Sequence, residues 1–386
     1  MLKGDFPVES FARMRTPFYY YDMALLKRTL SCLQGLLAKR PQYRMHYAVK
    51  ANFNPEILRV IAEAGFGADC VSGGEVKAAL SAGFRAEGIV FAGVGKSDDE
   101  IRFALSRRIS RFNVESEAEL RVIDELAGEM GRTAPVSLRV NPDIGAHTHA
   151  NITTGLAENK FGINYEQLPG IIRLCLELKN VSFKGLHFHI GSQILDMSDF
   201  AALCNRINSL SEQLTRSGLP VGDINVGGGL GINYEHPNHF EMADFPSYFE
   251  TFDKFLDLAP GQILHFELGR SIVAPCGSLI SRVLYVKDGS FKKFAVIDGS
   301  MTELIRPALY HAYHRVENIS SDEAEEIYDV VGPVCESSDV FVKAMSIDKC
   351  HRGDFIAIRS AGAYGESMAS CYNCRPLPEA FFDGLD

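Results

Sequence analysis

Between about residue 44 and residue 270, short apolar segments typical of buried strands alternate with segments of helical periodicity. Eight strands are predicted: RMHYAVK, GADCVS, IVFAG, RFNVES, VSLRVNP, KGLHFHIG, DINVGGG and LHFELGR. The segments between them, such as NPEILRVIAEAGF, carry apolar residues at helical spacing and a glycine near the end. Eight such repeats fit a closed (β/α)8 TIM barrel, which takes roughly 250 residues. An open doubly wound sheet is the alternative, and the strand count favours closure.

After about residue 275 the pattern changes to strands with turn signals and little helix between them. These strands are predicted in SRVLYVKDG, KKFAVIDG, IYDVVGPVCESSD and DFIAIRSAG, and the opening TPFYYYD is also strand-like. We therefore expect an α/β chain of two domains. A (β/α)8 barrel would cover residues 25–274, and a C-terminal, mainly β domain would cover residues 275–386 and be completed by residues 1–24.

The amino-acid composition argues against some classes of binding partner. The formal net charge of −10 argues against nucleic acid, because phosphate binding needs clustered Lys and Arg. No apolar run approaches the 18 or more residues of a membrane span, and the opening segment lacks the apolar core of a signal peptide. Nine scattered cysteines, an odd number, indicate reduced thiols. The sequence thus predicts a cytoplasmic protein that binds neither nucleic acid nor membrane.

Polar residues and glycines are concentrated where the predicted barrel strands end. Lysine is a poor strand residue, yet Lys50 ends the first predicted strand. The other ends carry Asp69, Arg139, His189, Gly227–Gly229, Glu267 and Arg270. In a barrel of this kind, catalytic residues lie at the C-terminal ends of several strands. The pattern predicts an active site at this rim, although Lys50 alone is also compatible with a solvated strand boundary.

Glycine-rich turns follow the last two predicted strands. The motif NVGGGLG, residues 225–231, lets the backbone approach an anion closely, but its spacing is not that of the nucleotide-binding motif G-x-G-x-x-G. The motif ELGR ends the eighth strand with Glu267 and Arg270. Barrels commonly bind phosphate at the loops after strands seven and eight. A plain turn and a local salt bridge are the alternative interpretations.

Histidine pairs raise the question of a metal. His187 and His189, and likewise His147 and His149, have a spacing that places both imidazoles on the same face of a strand. A metallohydrolase barrel would carry such a pair on the first strand, with further ligands later in the chain. These pairs lie in the middle of the chain instead, so we predict no metal.

Two cysteine motifs need separate interpretations. The CYNC motif, residues 371–374, has C-x-x-C spacing but no second pair, so ordinary thiols are expected. Cys335 stands beside Glu336 in GPVCESSD, within the predicted β domain. A single cysteine is usually a core residue, but the adjacent carboxylate makes Cys335 a candidate site residue.

A lysine, a glycine-lined phosphate site and a carboxylate are together what pyridoxal phosphate requires. A glutamate at the pyridine nitrogen, as Glu267 would be, keeps that nitrogen protonated because the opposite charge favours the cation. A protonated ring is a strong electron sink for the charge left when CO2 departs. An arginine there would keep the ring neutral and suit proton transfer without decarboxylation.

The chain resembles the diaminopimelate decarboxylases, in the alanine racemase and ornithine decarboxylase fold group (fold type III) of pyridoxal-phosphate enzymes. The resemblance covers about residues 17–378 and rests on ordered motifs: HYAVKAN, GADCVSGGE, FAGVGKS, NPDIGAHTHANITTGLAENKFGI, HFHIGSQI, NVGGGLG, ELGRSIV, LIRPALYHAYH, GPVCESSD and GAYGESMASCYNCRPLP. It implies the decarboxylation of meso-2,6-diaminopimelate to L-lysine and CO2, the last step of lysine biosynthesis. The family commonly has proline at the position of Leu268, which we take as a subgroup difference.

The resemblance also implies roles for single residues. Lys50 would hold the cofactor covalently, His189 would stack on its ring and Glu267 would meet its nitrogen. The cofactor contacts would be Lys50, Asp69, His189, Ser192, Gly227, Gly228, Gly229, Glu267, Gly269, Arg270 and Tyr364. The substrate contacts would be Arg270, Arg306, Tyr310, Glu336 and Tyr364, with Glu336 at the distal amino group. Cys335 or Lys50 would return a proton to the substrate.

In the family the segment of Cys335 and Glu336 reaches across a dimer interface, which implies a homodimer with shared active sites. The same fold also decarboxylates ornithine, arginine and carboxynorspermidine. Those substrates have no distal carboxylate, so a buried Arg306 would lack its partner. A racemase is disfavoured by Glu267 at the pyridine position. A non-catalytic relative would be expected to lose Lys50 or the glycine loop, and both are intact.

Overall fold

The structure is a computed structural model, and it describes residues 3–142 and 160–384. Two compact units make up the chain. The first, here the barrel unit, consists of Leu30–Gly231 and Asp244–Gly269. The second, here the β unit, consists of Met1–Thr29, Ile232–Ala243 and Arg270–Asp386. His147 and His149 lie outside the described residues.

The α-helices of the described residues are, in chain order, α1 Val8–Phe11, α2 Met23–Leu37, α3 Pro55–Glu63, α4 Gly73–Ser81, α5 Asp98–Arg107, α6 Glu117–Glu129, α7 Leu168–Glu177, α8 Met197–Arg216, α9 Phe245–Phe255, α10 Arg270–Val273 and α11 Arg306–Tyr310. Short 3-10 helices cover Val49–Ala51, Ala86–Gly88, Glu366–Met368 and Tyr372–Cys374. Across the described part of the chain, none of these helices has the length and apolar content needed to cross a membrane.

The strands are β1 Phe18–Asp22, β2 Tyr43–Ala48, β3 Gly67–Cys70, β4 Ile89–Phe91, β5 Arg111–Val114, β6 Ala134–Arg139, β7 Val181–His187, β8 Asp223–Asn225, β9 Leu264–Leu268, β10 Gly277–Asp288, β11 Lys293–Ile297, β12 Val316–Asn318, β13 Glu325–Val331, β14 Val340–Asp348, β15 Phe355–Ile358 and β16 Glu379–Asp383.

Strands β2 to β9 form a closed barrel in chain order, and every neighbouring pair is parallel. The closing pair joins β9 to β2, from Tyr43 opposite Leu264 to Tyr47 opposite Leu268. This confirms the predicted (β/α)8 barrel. It also shows what Leu268 does, because this residue extends β9 by a paired and fully buried position that a proline would disturb.

Several helices around the barrel, α3 and α5 among them, begin at residues whose side chains cap them. Ser97 accepts a hydrogen bond from the backbone N–H of Glu100, and the Glu100 carboxylate accepts one from Ser97 in return. Asn54 caps α3 in front of Pro55. Such caps satisfy backbone donors that the first turn leaves unpaired. The side chains of Ser97 and Asn54 therefore help to fix where α5 and α3 begin.

The β unit contains an eight-stranded sheet. Its path is β12-β15-β10-β11-β13-β14, and β1 pairs antiparallel with β10 and parallel with β16. The buried cluster under it includes Phe11, Phe18, Ile280 and Phe355. The mainly β character predicted for this part of the chain is confirmed, and the strand from TPFYYYD lies within the sheet.

All eight predicted barrel segments extend past the ends of the observed strands, and for β2 and β7 the difference moves a predicted site residue off the strand. Strand β2 stops at Ala48, and Lys50 lies in the 3-10 helix Val49–Ala51 rather than on the strand itself. Val49 and Ala51 are fully buried, so the tight turn directs the lysine side chain away from them. Strand β7 stops at His187, which leaves His189 two residues beyond the strand.

Candidate active site

Lys50 and Asp69 lie together at the ends of β2 and β3. The Lys50 Nζ atom is 3.7 Å from Asp69 Oδ2, and the lysine side chain is 42% exposed while that of Asp69 is 2% exposed. Burial, helped by the negative charge of Glu267, raises the pKa of Asp69 to about 8. The site thus offers an accessible amine beside a carboxyl group that can hold or release a proton near neutral pH.

Glu267 is buried on β9 and accepts hydrogen bonds from three other strands. Its Oε1 receives the Asn225 amide at 2.6 Å and the Asn113 amide at 3.0 Å, and its Oε2 lies 3.1 Å from His187 Nε2. Burial alone would raise the pKa of Glu267, but His187 and the hydrogen bonds from His187 and Asn225 hold it well below its usual value. Glu267 is therefore a fixed carboxylate inside the barrel.

These three partners of Glu267 were not predicted from the sequence. Asn113 and Asn225 stand in RFNVES and DINVGGG, both of which were recognised only as strands or a glycine turn. A signal was present, because asparagine is depleted in strands and buried polar groups need partners. The histidine pair was weighed as a metal site, whereas the structure places His187 against Glu267.

His189 is buried close to the same charges. Burial, with the positive charges of Arg139 and Lys50, lowers the pKa of His189 well below its usual value, so the ring is neutral. Its Nδ1 accepts a long hydrogen bond, 3.4 Å, from the backbone N–H of Gly228. A neutral imidazole in this position is suited to stacking on an aromatic ring.

The glycine loop after β8 is too crowded for any other residue. Gly227 and Gly229 have φ values of 70° and 106°, which favour glycine. A Cβ on Gly228 would lie 2.0 Å from the Glu267 carbonyl oxygen. The Asn225 side chain that donates to Glu267 also accepts from the Gly227 N–H at 2.9 Å. The anchor of Glu267 and the glycine loop are therefore one hydrogen-bonded assembly.

Two other predicted cofactor residues of the barrel unit, Ser192 and Gly269, lie in segments that pack against the glycine loop and the lysine turn, respectively. Ile194 exchanges backbone hydrogen bonds with Gly229 and Gly231, which places the segment of Ser192 alongside the loop. A Cβ on Gly269 would lie 3.0 Å from the Cβ atoms of both Ala48 and Ala51, on either side of Lys50. Only a glycine fits comfortably between β9 and the lysine turn.

This arrangement fits pyridoxal phosphate on its own chemistry. The cofactor needs an amine, a cradle of backbone amides for its phosphate and an anionic partner for its ring nitrogen. The groups of Lys50, the glycine loop and Glu267 match these three requirements within the barrel unit. In addition, the Asp69 Oδ1 atom is buried and has no hydrogen-bond partner among the described residues. An orphaned buried acceptor of this kind is expected where a ligand supplies the donor.

In the β unit, two of the predicted substrate residues, Arg270 and Arg306, lie in one cluster. Arg270 and Arg306 are buried, and each donates a hydrogen bond from Nη1 to the Tyr234 hydroxyl oxygen, at 2.7 and 2.9 Å. The Arg270 guanidinium lies 4.9 Å from the centre of the Tyr364 ring. Tyr310 ends α11, the helix that Arg306 begins. Tyr234 was missed because it lies outside the motifs that carry the resemblance, three residues beyond NVGGGLG.

Cys335 and Glu336 lie on the exposed turn between β13 and β14. The Tyr372 hydroxyl donates to Glu336 Oε1 at 2.6 Å. Cys371 and Cys374 are free, exposed thiols at the ends of the CYNC motif, as expected. Cys335 and Glu336, which are predicted to act in the active site, therefore lie on the surface of the chain and not in its core.

Comparison with known proteins defines the class. Residues 25–274 match the family described as "Pyridoxal-dependent decarboxylase, pyridoxal binding domain". Together with the barrel and its lysine, glycine loop and glutamate, this makes the chain a fold type III decarboxylase that depends on pyridoxal phosphate.

The more similar relatives specify the family further. A diaminopimelate decarboxylase of Bacteroides thetaiotaomicron is 61% identical over 98% of each chain. A solved diaminopimelate decarboxylase of Helicobacter pylori, complexed with L-lysine, has a TM-score of 0.89 and 38% identity, covering 97% of this chain and 93% of that one. Another, from M. jannaschii in complex with L-lysine, has a TM-score of 0.88 and 35% identity, covering 97% and 89%. The chain belongs to the diaminopimelate decarboxylase family.

Proposed function

We propose that the protein decarboxylates meso-2,6-diaminopimelate to L-lysine and CO2, as the last step of lysine biosynthesis. The observation that carries this is the buried, ionised Glu267 held by three donors in the same barrel that presents Lys50. Relatives and solved structures named diaminopimelate decarboxylase, two of them complexed with L-lysine, support the choice of substrate.

When bound, pyridoxal phosphate supplies an aldehyde that condenses with amines and a ring that withdraws the electrons left by a departing carboxylate. The residues that would hold it are Lys50 at the aldehyde, Glu267 at the ring nitrogen, His189 on the ring face and Gly227–Gly229 at the phosphate. Ser192, Gly269, Arg270 and Tyr364 complete the predicted set, with Asp69 near Lys50.

The side chains of the site have different proposed roles, which depend on their charge. Glu267 stays anionic and so favours a protonated partner at its Oε atoms, which increases electron withdrawal. As a free amine, Lys50 would hold a proton beside Asp69 while the substrate is bound through its D-configured amino group. Because the pKa of Asp69 is about 8, that carboxyl group can exchange protons with the amine near neutral pH. Lys50 or Cys335 then returns a proton to the substrate carbon.

The far end of the substrate carries a second carboxylate and a second amino group. We assign Arg306, together with Arg270, Tyr310 and Tyr364, to the distal carboxylate, and Glu336 to the distal amino group. Arg306 is buried, and within the described residues it has no carboxylate partner within 4.0 Å. A buried guanidinium of this kind favours a substrate that brings its own carboxylate.

We also propose a homodimer in which Cys335 and Glu336 complete the partner's active site. Both are exposed on the turn between β13 and β14, where a partner can reach them. The nine cysteines are free thiols, which suits a reducing compartment, and we expect the protein to work in the cytoplasm.

The test is to incubate the purified protein with pyridoxal phosphate and meso-diaminopimelate and to measure CO2 and lysine. We expect the two products in equal amounts. A site built to pair a distal carboxylate rejects substrates that lack it by roughly 10⁴-fold. Turnover of ornithine or L-lysine comparable to that of meso-diaminopimelate contradicts the proposal, and activity on ornithine alone makes the protein an ornithine decarboxylase instead.

A further inference from the structure

The Tyr234 hydroxyl lies between two buried guanidiniums, a geometry that the proposed roles do not explain. Arg270 Nη1 and Arg306 Nη1 both donate to this one oxygen, at 2.7 and 2.9 Å. The Arg306 guanidinium carbon also lies 5.2 Å from the centre of the Tyr234 ring. Tyr234 itself is buried. Two like charges are thus held close together by a single phenolic oxygen.

The hydrogen atoms around Tyr234 can be assigned from their partners. His314 Nδ1 faces the Arg359 carbonyl oxygen at 2.9 Å, and a carbonyl only accepts, so Nδ1 carries the hydrogen. His314 Nε2 then accepts from Arg306 Nη1 at 2.9 Å. Burial, with the charge of Arg306, lowers the pKa of His314 to about 3, which agrees with a neutral ring. Arg306 Nη1 therefore uses its two hydrogens on His314 and Tyr234.

The phenolic hydrogen of Tyr234, in contrast, has no hydrogen-bond acceptor among the described residues. Its oxygen already accepts two hydrogen bonds, and no acceptor for its own hydrogen is found among residues 3–142 and 160–384. The groups that face Tyr234 are the cations Arg270 and Arg306 and the neutral His314, with Tyr310 and Tyr364 beside Arg270. A buried hydroxyl without an acceptor is costly, whereas a phenolate oxygen has acceptor capacity for both arginines.

We infer that Tyr234 is a buried tyrosinate that positions Arg270 and Arg306 and leaves this cluster with a net charge of one. The direction of the Tyr234 pKa agrees with this. Burial would raise it, but the charges of Arg270 and Arg306 and their hydrogen bonds lower it below its usual value. Tyr234 is a positioning residue, since it acts through the two arginines.

The inferred charge has a consequence for recognition, and this part rests on the proposed function. Two guanidiniums and one phenolate together carry a single positive charge, which matches one carboxylate group. Without the phenolate, two positive charges would repel each other and separate. Tyr234 would therefore set both the charge and the spacing of the site that receives the distal carboxylate of the substrate.

Ultraviolet spectroscopy tests the tyrosinate directly, because the chain contains 14 Tyr and no Trp to obscure its absorption band. We compare wild type, Tyr234→Phe and Tyr19→Phe, equally loaded with pyridoxal phosphate, at neutral pH. Tyr19 is a matched control, because it is buried and its hydroxyl donates to the Glu303 carbonyl at 2.7 Å. We expect one tyrosinate per chain in wild type and in Tyr19→Phe, and none in Tyr234→Phe.

If Tyr234→Phe does not fold, the inference can still be tested on wild type alone. The measurement is then the difference between the absorbance spectra of the native and the unfolded protein. Unfolding at neutral pH should remove one tyrosinate, since a solvated tyrosine has a pKa of about 10. A wild-type spectrum without tyrosinate overturns the inference. So does a tyrosinate that persists in Tyr234→Phe, because it then belongs to another residue. Neither measurement uses substrate, so failure of the proposed function is observed separately.

Steady-state kinetics test the role in recognition. For Tyr234→Phe we expect the KM for meso-diaminopimelate to rise by about tenfold or more while kcat changes less, because the charged hydrogen bonds that space the arginines are lost. A merely structural role would lower the amount of active enzyme without this split. An unchanged KM in a variant that has lost its tyrosinate overturns the recognition role.

Discussion

Replacing Asn225 by alanine should damage catalysis far more than its loss of volume suggests. The Asn225 side-chain amide makes two hydrogen bonds. Its Nδ2 donates to Glu267 Oε1 at 2.6 Å, and its Oδ1 accepts from the Gly227 N–H at 2.9 Å. The side chain is buried, so water does not readily replace it. Asn225→Ala therefore removes one of the three donors to Glu267 and releases the glycine loop in a single step.

The size of the effect follows from the two hydrogen bonds. A hydrogen bond to a charged group contributes about 1.5–3 kcal/mol, and one between neutral groups about 0.5–1.5 kcal/mol. Their joint loss is about 2–4 kcal/mol, which corresponds to about 30- to 1,000-fold in kcat/KM. Loss of the Asn225 hydrogen bond also raises the pKa of Glu267, which weakens its hold on a protonated ring nitrogen.

The assay is CO2 release from meso-diaminopimelate, together with the dissociation constant of pyridoxal phosphate. Asn208→Ala is the matched control, since Asn208 also makes one donated and one accepted hydrogen bond, to Phe255 and from Asp257, but on the surface. We expect the control to retain nearly full activity. If kcat/KM of Asn225→Ala falls within about threefold of the control, the argument that Glu267 depends on this amide is refuted.

Three further predictions follow from the barrel unit. Lys50→Ala should fold, because its side chain is 42% exposed, but should lose turnover and the absorbance of covalently held cofactor; full cofactor-dependent turnover would exclude Lys50 as the attachment site. Gly228→Ala should weaken cofactor binding, because its Cβ would lie 2.0 Å from the Glu267 carbonyl oxygen. The control Gly35→Ala has open space around it and should be neutral or stabilising. Equal cofactor affinity in both variants would contradict this prediction. Asp69 should contribute less to the stability of the cofactor-free protein as pH rises from 3.8 to about 8, because its raised pKa favours folding only while the group is protonated. The difference in thermal stability between wild type and Asp69→Asn should therefore shift in favour of the variant over this range, and a difference that does not change with pH would mean that Asp69 does not titrate there.

The sequence by itself determined the barrel and the chemistry at its rim. Strand and helix periodicities are local, because they depend on which face of each element must be buried. Eight repeats therefore predicted closure, and β2 to β9 confirm it. The motifs around Lys50, Glu267 and the glycine loop likewise carried enough local pattern to indicate pyridoxal phosphate.

Tertiary structure alone decided how these groups are held. The donors to Glu267 come from β5, β7 and β8, and only the register of neighbouring strands places Asn113, His187 and Asn225 at one carboxylate. In the same way, Tyr234 meets two arginines that lie 36 and 72 positions further along the chain. Burial and hydrogen bonding between distant residues set protonation states, and no local pattern records such contacts.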